Sequence, residues 1–161
     1  MNSRILTVAD LERESARLRS SQQKLVVTNG CFDLLHVGHI RYLEAARKLG
    51  DALAVGINGD ASARLLKGEG RPLNTERDRA EILAALRCVD FVAIFPEMRA
   101  TGFLLAARPA IYVKGGDYTP ETLDAEESAV LRDIGAEIVL VPFSQGYSTS
   151  AMIDATQNRA R

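Results

Sequence analysis

The sequence predicts an α/β protein: one domain on a five-stranded parallel sheet, doubly wound, with helices on both faces. Three observations predict it. Short apolar runs at 24–28, 52–57, 91–95, 110–113 and 137–141 alternate with segments of helical spacing. No hairpin signal joins one run to the next, so each strand returns to the sheet by a crossover, right-handed by rule. The 161 residues, 47% of them hydrophobic, suffice for one proper core and are few for two.

The totals exclude several classes. A net charge of −1 gives no general attraction to nucleic acid or an anionic membrane, so phosphate binding has to come from local basic residues. Cys31 and Cys88 form no cluster, which fits a reducing compartment without a disulfide framework. Arg4, Asp10, Glu12 and Arg13 interrupt any signal-peptide pattern, and no run approaches the roughly 20 apolar residues of a membrane span. A cytoplasmic, soluble protein is expected, with neither nucleic acid nor membrane as partner. No internal repeat, low-complexity stretch or linker interrupts the chain.

Residues 1–23 read as an N-terminal surface helix or arm, capped by Thr7 or Asp10, with Leu11 and Leu18 as one narrow apolar stripe. The strand at 24–28 ends at Asn29-Gly30, and a helix with a glycine stop follows over 40–50. A helix entered this way points its unpaired N–H groups at the carboxyl edge of the sheet, where anions bind. Gly38 has no Cβ to block such an approach. His36 and His39, the only histidines, flank it and can address one spot; they can equally cap the helix and pack the loop.

The strand at 52–57 ends at Asn58-Gly59-Asp60, where Asp60 suits the N-cap of a short helix over 61–66. Residues 67–74, with two glycines, a proline and alternating charges, read as a solvated loop or as a flap carrying Lys67 and Arg71. Asn74 or Thr75 caps the next helix, whose Arg79, Ile82, Leu83, Leu86 and Val89 recur on one face. A charge on that face needs a partner or must snorkel out. After the strand at 91–95, Pro96 precedes a helix over 98–107. The strand at 110–113 runs into Lys114-Gly115-Gly116-Asp117-Tyr118, where the glycines let backbone lie against a ligand. A helix over 125–134 stops at Gly135, the last strand closes at Pro142, and Ser148 suits an N-cap before a helical 151–154. Residues 24–157 thus form the domain and 158–161 a tail. Four loops at strand ends, 28–39, 58–60, 114–118 and 144–150, converge on one edge of the sheet.

The string 28–39, ending His36-Val37-Gly38-His39, resembles the His-x-Gly-His signature of the nucleotidylyltransferase superfamily, which has a Rossmann-like fold. Lys-Gly-Gly-Asp-Tyr at 114–118 and the Lys-Gly and Arg-Pro of 67–72 are most similar to its heptose 1-phosphate adenylyltransferase branch. The resemblance covers almost all of 24–157. It implies transfer of AMP from ATP to heptose 1-phosphate, giving ADP-heptose and pyrophosphate for lipopolysaccharide core synthesis. His36, His39 and Lys114 are then the catalytic residues. Asn29, Gly30, Phe32, Asp33, Gly38, Gly116, Asp117, Ser148 and Thr149 hold the nucleotide. Asn58, Asp60, Lys67, Arg71 and Arg79 serve the sugar phosphate, Arg79 either directly or by supporting other binders. Mg²⁺ is expected on ATP oxygens and water rather than in a protein cage.

The resemblance further implies a homo-oligomer, a dimer foremost, and a separate sugar kinase upstream, since this chain resembles the adenylyltransferase standing alone. Phe143-Ser144 stands where glycerol 3-phosphate cytidylyltransferases carry Arg-Thr, which favours adenine. A cytidylyltransferase of that kind is the alternative enzyme, and a non-catalytic nucleotide-binding module the alternative outside enzymes.

Overall fold

The computed structural model describes residues 3–115 and 122–142. The sheet has six parallel strands rather than five, in the order β1-β4-β3-β2-β5-β6. The added strand is β1 (Ile5–Leu6), which pairs with Val92 and Ala93 of β4 (Phe91–Phe95). Two residues are too few to show any periodicity, so the sequence gives it no strand signal.

The helix that follows, α1 (Val8–Ser20), is not an arm outside the domain. Leu11 and Leu18 are 0% and 3% exposed in the core, and Ser15 donates to the Ala107 carbonyl. Thr7 caps it by accepting the Asp10 N–H at 3.1 Å, which settles the choice between the two candidates. One apolar stripe is enough to seat the helix on a sheet face.

The remaining strands are β2 (Leu25–Gly30), β3 (Ala52–Asn58), β5 (Ile111–Gly115) and β6 (Glu137–Val141). One face carries α1, α5 (Thr101–Ala107) and α6 (Ala125–Asp133), packed through Phe103, Leu104, Ala107 and Leu131. The other carries α2 (Val37–Arg47) and α4 (Glu76–Ala84), packed through Leu43, Ala46, Ala80 and Leu83. In α4 the inward face runs through Arg79, Ala80, Leu83 and Ala84, while Ile82 is 43% exposed. Ile82 lies within α4 but on its outer side, because the buried face is centred between Ala80 and Leu83; Leu86 and Val89 reach the core from the turn beyond the helix, out of its period. Gly56 in β3 is required by packing: an added Cβ would lie 2.6 Å from the Phe103 ring.

From β2 the chain winds through β3 to β4, then crosses back to lay β5 on the other side of β2. The strand order therefore reverses between β2 and β5. Ligands of open parallel sheets bind at the carboxyl ends of strands where this happens.

Candidate active site

A cleft of about 940 Å³ opens at that reversal. Among the described residues it is lined by Asn29, Gly30, Phe32, Asp33, His39, Asn58, Lys67, Arg71 and Lys114 from the expected set. Tyr42, Arg99, Asp124 and Glu127 join them. Gly116, Asp117, Ser148 and Thr149 lie outside the described residues. His36, Gly38, Asp60 and Arg79 do not line the cleft.

The histidines sit at the mouth of α2. His36 is its N-cap, in extended backbone, and the His36 N–H donates to Nδ1 of His39 at 3.3 Å. The rings lie 3.9 Å apart between centroids. Burial pushes His39 down to about 4, and the nearby His36 and Lys67 push the same way. His36 is lowered too, by burial. His39 is therefore neutral at pH 7. With Nδ1 accepting a backbone N–H, its proton is on Nε2. Capping and donation are thus compatible in one side chain. Gly38, buried in the first turn of α2, stands between the two histidines.

The loop after β2 is shaped by Phe32, in the left-handed region at φ 46°. Its ring lies over Gly30, where an added Cβ would meet it at 3.2 Å, and its centroid is 5.7 Å from that of His39. Asp33 anchors the 67–74 segment to this loop. Its carboxylate accepts from Arg71 Nε at 2.6 Å and from the N–H groups of Leu73 at 2.8 Å and Asn74 at 3.0 Å. Burial pushes the Asp33 carboxyl up, but those two N–H groups and the Arg71 guanidinium outweigh it, and the net shift is down. Arg71 is thus held at the cleft by a carboxylate, and Lys67, the last residue of α3 (Asp60–Lys67), stands exposed on the rim.

Arg79 neither snorkels nor faces the cleft. Its side chain is 0% exposed. Nε donates to the Asn74 carbonyl at 3.1 Å and Nη1 to that of Cys31 at 2.6 Å. Nη2 donates to the Asn58 carbonyl at 2.8 Å and to Asp60 Oδ1 at 2.9 Å. It ties the ends of β2 and β3 to the start of α4, so its place is among the supports of the site rather than its substrate binders. Asp60 is likewise turned to Arg79 and is not the cap of α3. That position belongs to Gly59, and the Asp60 N–H is met by Glu76 Oε2 at 2.8 Å. Asn58 is 3% exposed, and its amide donates to the Glu97 carbonyl at 3.1 Å. Its oxygen accepts from the Cys31 thiol at 3.8 Å. Burial pushes that thiol up, so it stays protonated.

Across the cleft, Lys114 donates to the Tyr112 hydroxyl at 3.2 Å. Burial lowers it from the ordinary lysine range, while the Glu127 and Asp124 carboxylates oppose that shift. Glu127 also accepts the Ala100 N–H at 2.8 Å at the start of α5. Sequence reasoning missed Tyr112, Glu76, Glu127 and Arg99. Only Glu76 and Glu127 carried a signal, an acidic residue in a first helical turn, and that pattern is common to ordinary helices.

This geometry has counterparts among known proteins. A bifunctional protein HldE of Geobacter metallireducens is 50% identical over 144 residues, covering 89% of this chain and 28% of the relative. That of Aliarcobacter butzleri is 44% identical over 160 residues, covering 99% of this chain and 32% of the relative. The chain thus spans less than a third of the length of these relatives. The lipopolysaccharide core biosynthesis protein of Thermoplasma volcanium GSS1 superposes with a TM-score of 0.63 at 30% identity, over 78% of this chain and 99% of that one. The pantoate-beta-alanine ligase of Francisella tularensis shares the fold, with a TM-score of 0.59 at 14% identity, over 95% of this chain and 76% of that one. The cytidylyltransferase-like family matches residues 27–155, from the strand that opens the site to the segment beyond β6, and the chain belongs to that family.

Proposed function

We propose that the chain transfers AMP from ATP to heptose 1-phosphate, releasing pyrophosphate and forming ADP-heptose for lipopolysaccharide core synthesis. One observation carries the reading. A neutral His39 with its proton on Nε2 and a half-buried lysine, Lys114, line one cleft at the strand reversal. Such a pair suits an in-line attack on the α-phosphorus. The sugar phosphate oxygen is already anionic near neutral pH, so no general base is required. The protein positions two anions and stabilises charge as it develops. His39 donates to the α-phosphate and the leaving oxygens, and His36 holds the helix mouth beside it. Lys114 neutralises a phosphate near the reacting centre, while Lys67 and Arg71 draw the two anions together. Asn29, Gly30 and Phe32 wall the nucleotide side; the sequence resemblance assigns Gly116, Asp117, Ser148 and Thr149 to the nucleotide as well.

Among the described residues no cluster of three His, Cys, Asp or Glu side chains offers a metal cage, and Asp33 is committed to Arg71 and the 73–74 backbone. Mg²⁺ enters the proposal only as a companion of ATP, held by phosphate oxygens and water. No helix among the described residues is long and apolar enough to cross a membrane. A cytoplasmic homodimer, supplied with sugar phosphate by a kinase, completes the proposal.

The test is a pyrophosphate-release panel crossing ATP and CTP with heptose 1-phosphate and glycerol 3-phosphate. ATP with heptose 1-phosphate is expected to dominate. Comparable kcat/KM with CTP would overturn the adenylyl assignment, and preference for CTP with glycerol 3-phosphate would replace it. No release with any pair would leave a binding module.

A further inference from the structure

We propose that Tyr112 is a positioning residue of this site, its buried hydroxyl holding Lys114 and Asn29 in one fixed arrangement across the β2–β5 junction. The inference rests on the transfer reading, in which Lys114 meets a phosphate. Tyr112 is 0% exposed and packs in an apolar cluster with Leu25, Val27, Leu104 and Leu131. A phenylalanine would fill that space without a hydroxyl to satisfy, and a buried hydroxyl costs stability unless it is bonded. Here both partners are residues of the cleft. Lys114 Nζ donates to Tyr112 Oη at 3.2 Å, and Tyr112 Oη donates to Asn29 Oδ1 at 2.5 Å.

The strand geometry makes this possible. Tyr112 pairs with Val27 across β2 and β5. Lys114 and Asn29 each lie two residues further along, and side chains two apart share a face. The hydroxyl engages the oxygen of the Asn29 amide, which leaves the NH₂ as the end that can meet an acceptor in the cleft. It also restrains a lysine whose four-carbon stem otherwise has many rotamers to lose on binding. Among the described residues, the charged groups facing Lys114 are Glu127 of α6 and Asp124, the N-cap of that helix, and the Cys31 thiol faces it from the loop after β2. A hydroxyl accepting from the ammonium favours its charged form, against burial. Removing that hydroxyl makes Lys114 lose its proton at lower pH.

The experiment compares Tyr112→Phe, Lys114→Ala and the double variant in the pyrophosphate-release assay. It adds an NMR titration of the Lys114 ε-methylene, assigned by its loss in Lys114→Ala. Tyr112→Phe is expected to lower kcat/KM about tenfold, the scale of one hydrogen bond to a charged group. In the Lys114→Ala background the same change should matter less than about twofold. The Lys114 signal should titrate at lower pH in Tyr112→Phe, with thermal melting unchanged. An equal loss in both backgrounds, or an unmoved titration, overturns the proposal. A wild-type chain that releases no pyrophosphate overturns the transfer reading instead, and the titration, which needs no substrate, still decides the link between Tyr112 and Lys114.

Discussion

Replacing Arg79 by methionine should reveal how much of the fold's stability is held at the base of the cleft. Methionine keeps most of the stem volume but removes four donated bonds, three of them to the carbonyls of Cys31, Asn58 and Asn74. Deleting one partner of a buried ionic network costs about 3–5 kcal/mol, because the groups left behind stay desolvated. The lower end applies here, since the Asp60 side chain is 35% exposed and regains water when its partner goes. Domains of this kind hold about 5–15 kcal/mol in all, so the variant should fold with a much narrower margin. Urea unfolding at constant temperature is therefore the assay. With a slope of about 2 kcal/mol per M, a loss of 3 kcal/mol moves the midpoint down by about 1.5 M. Arg79→Lys should fall between, since one ammonium cannot reach carbonyls on three segments. A midpoint shift in Arg79→Met below about 0.5 M would refute the clamp, whatever the activity.

Three further outcomes are expected. His39→Asn should lower kcat about a hundredfold or more while changing ATP affinity no more than about tenfold, because a donor aimed at developing charge matters little to the ground state. Equal falls in calorimetric affinity and turnover would make His39 a plain phosphate binder. The same variant tests the titration. A histidine held down to about 4 against an ordinary 6.5 binds its proton more readily unfolded. It therefore subtracts stability progressively as pH falls from 6.5 toward about 4. The wild-type stability measured by urea should drop more across that window than that of His39→Asn, and parallel curves would contradict the shift. Gly56→Ala should cost about 1–3 kcal/mol through its collision with Phe103, and an unchanged melting temperature would show that the ring gives way freely.

What the sequence disclosed and what it hid follow one physical line. Parallel strands are short apolar runs, so β2 to β6 were legible, and so was the meeting of residues 29–33, 58 and 114 at one cleft. Loops at strand ends meet in that topology, which is why His39, Lys114 and Asp33 line one cleft. Interactions between distant segments leave no local pattern. Glu76 completes the start of α3 from sixteen residues away, and nothing around Asp60 signals it. Arg79 reads as an anomaly on an apolar face, yet only the fold brings Cys31 O and Asn58 O to its guanidinium. Tyr112 reads as one more core aromatic, because a strand pattern records burial and not what a hydroxyl touches. β1 escaped through brevity, and Ile82 misled because a helical period was continued past the end of its helix.

The strand reversal has a mechanical side. β2 is laced to β3 by six residue pairs, from Leu25–Ala52 to Gly30–Ile57, but its register with β5 holds only Val26–Ile111 and Val27–Tyr112. The cleft therefore opens over a thin seam inside the sheet, with chain 25–95 on one side and 111–141 on the other. Above Val27 the seam is spanned by side chains, Asn29 reaching Tyr112 and Tyr42 reaching the Val113 carbonyl at 3.0 Å. An anion gripped by His39 on one bank and Lys114 on the other would act as a rivet there. Occupancy should then slow amide exchange along Thr28–Gly30 and Val113–Gly115 more than in the β2–β3 ladder, which is already closed.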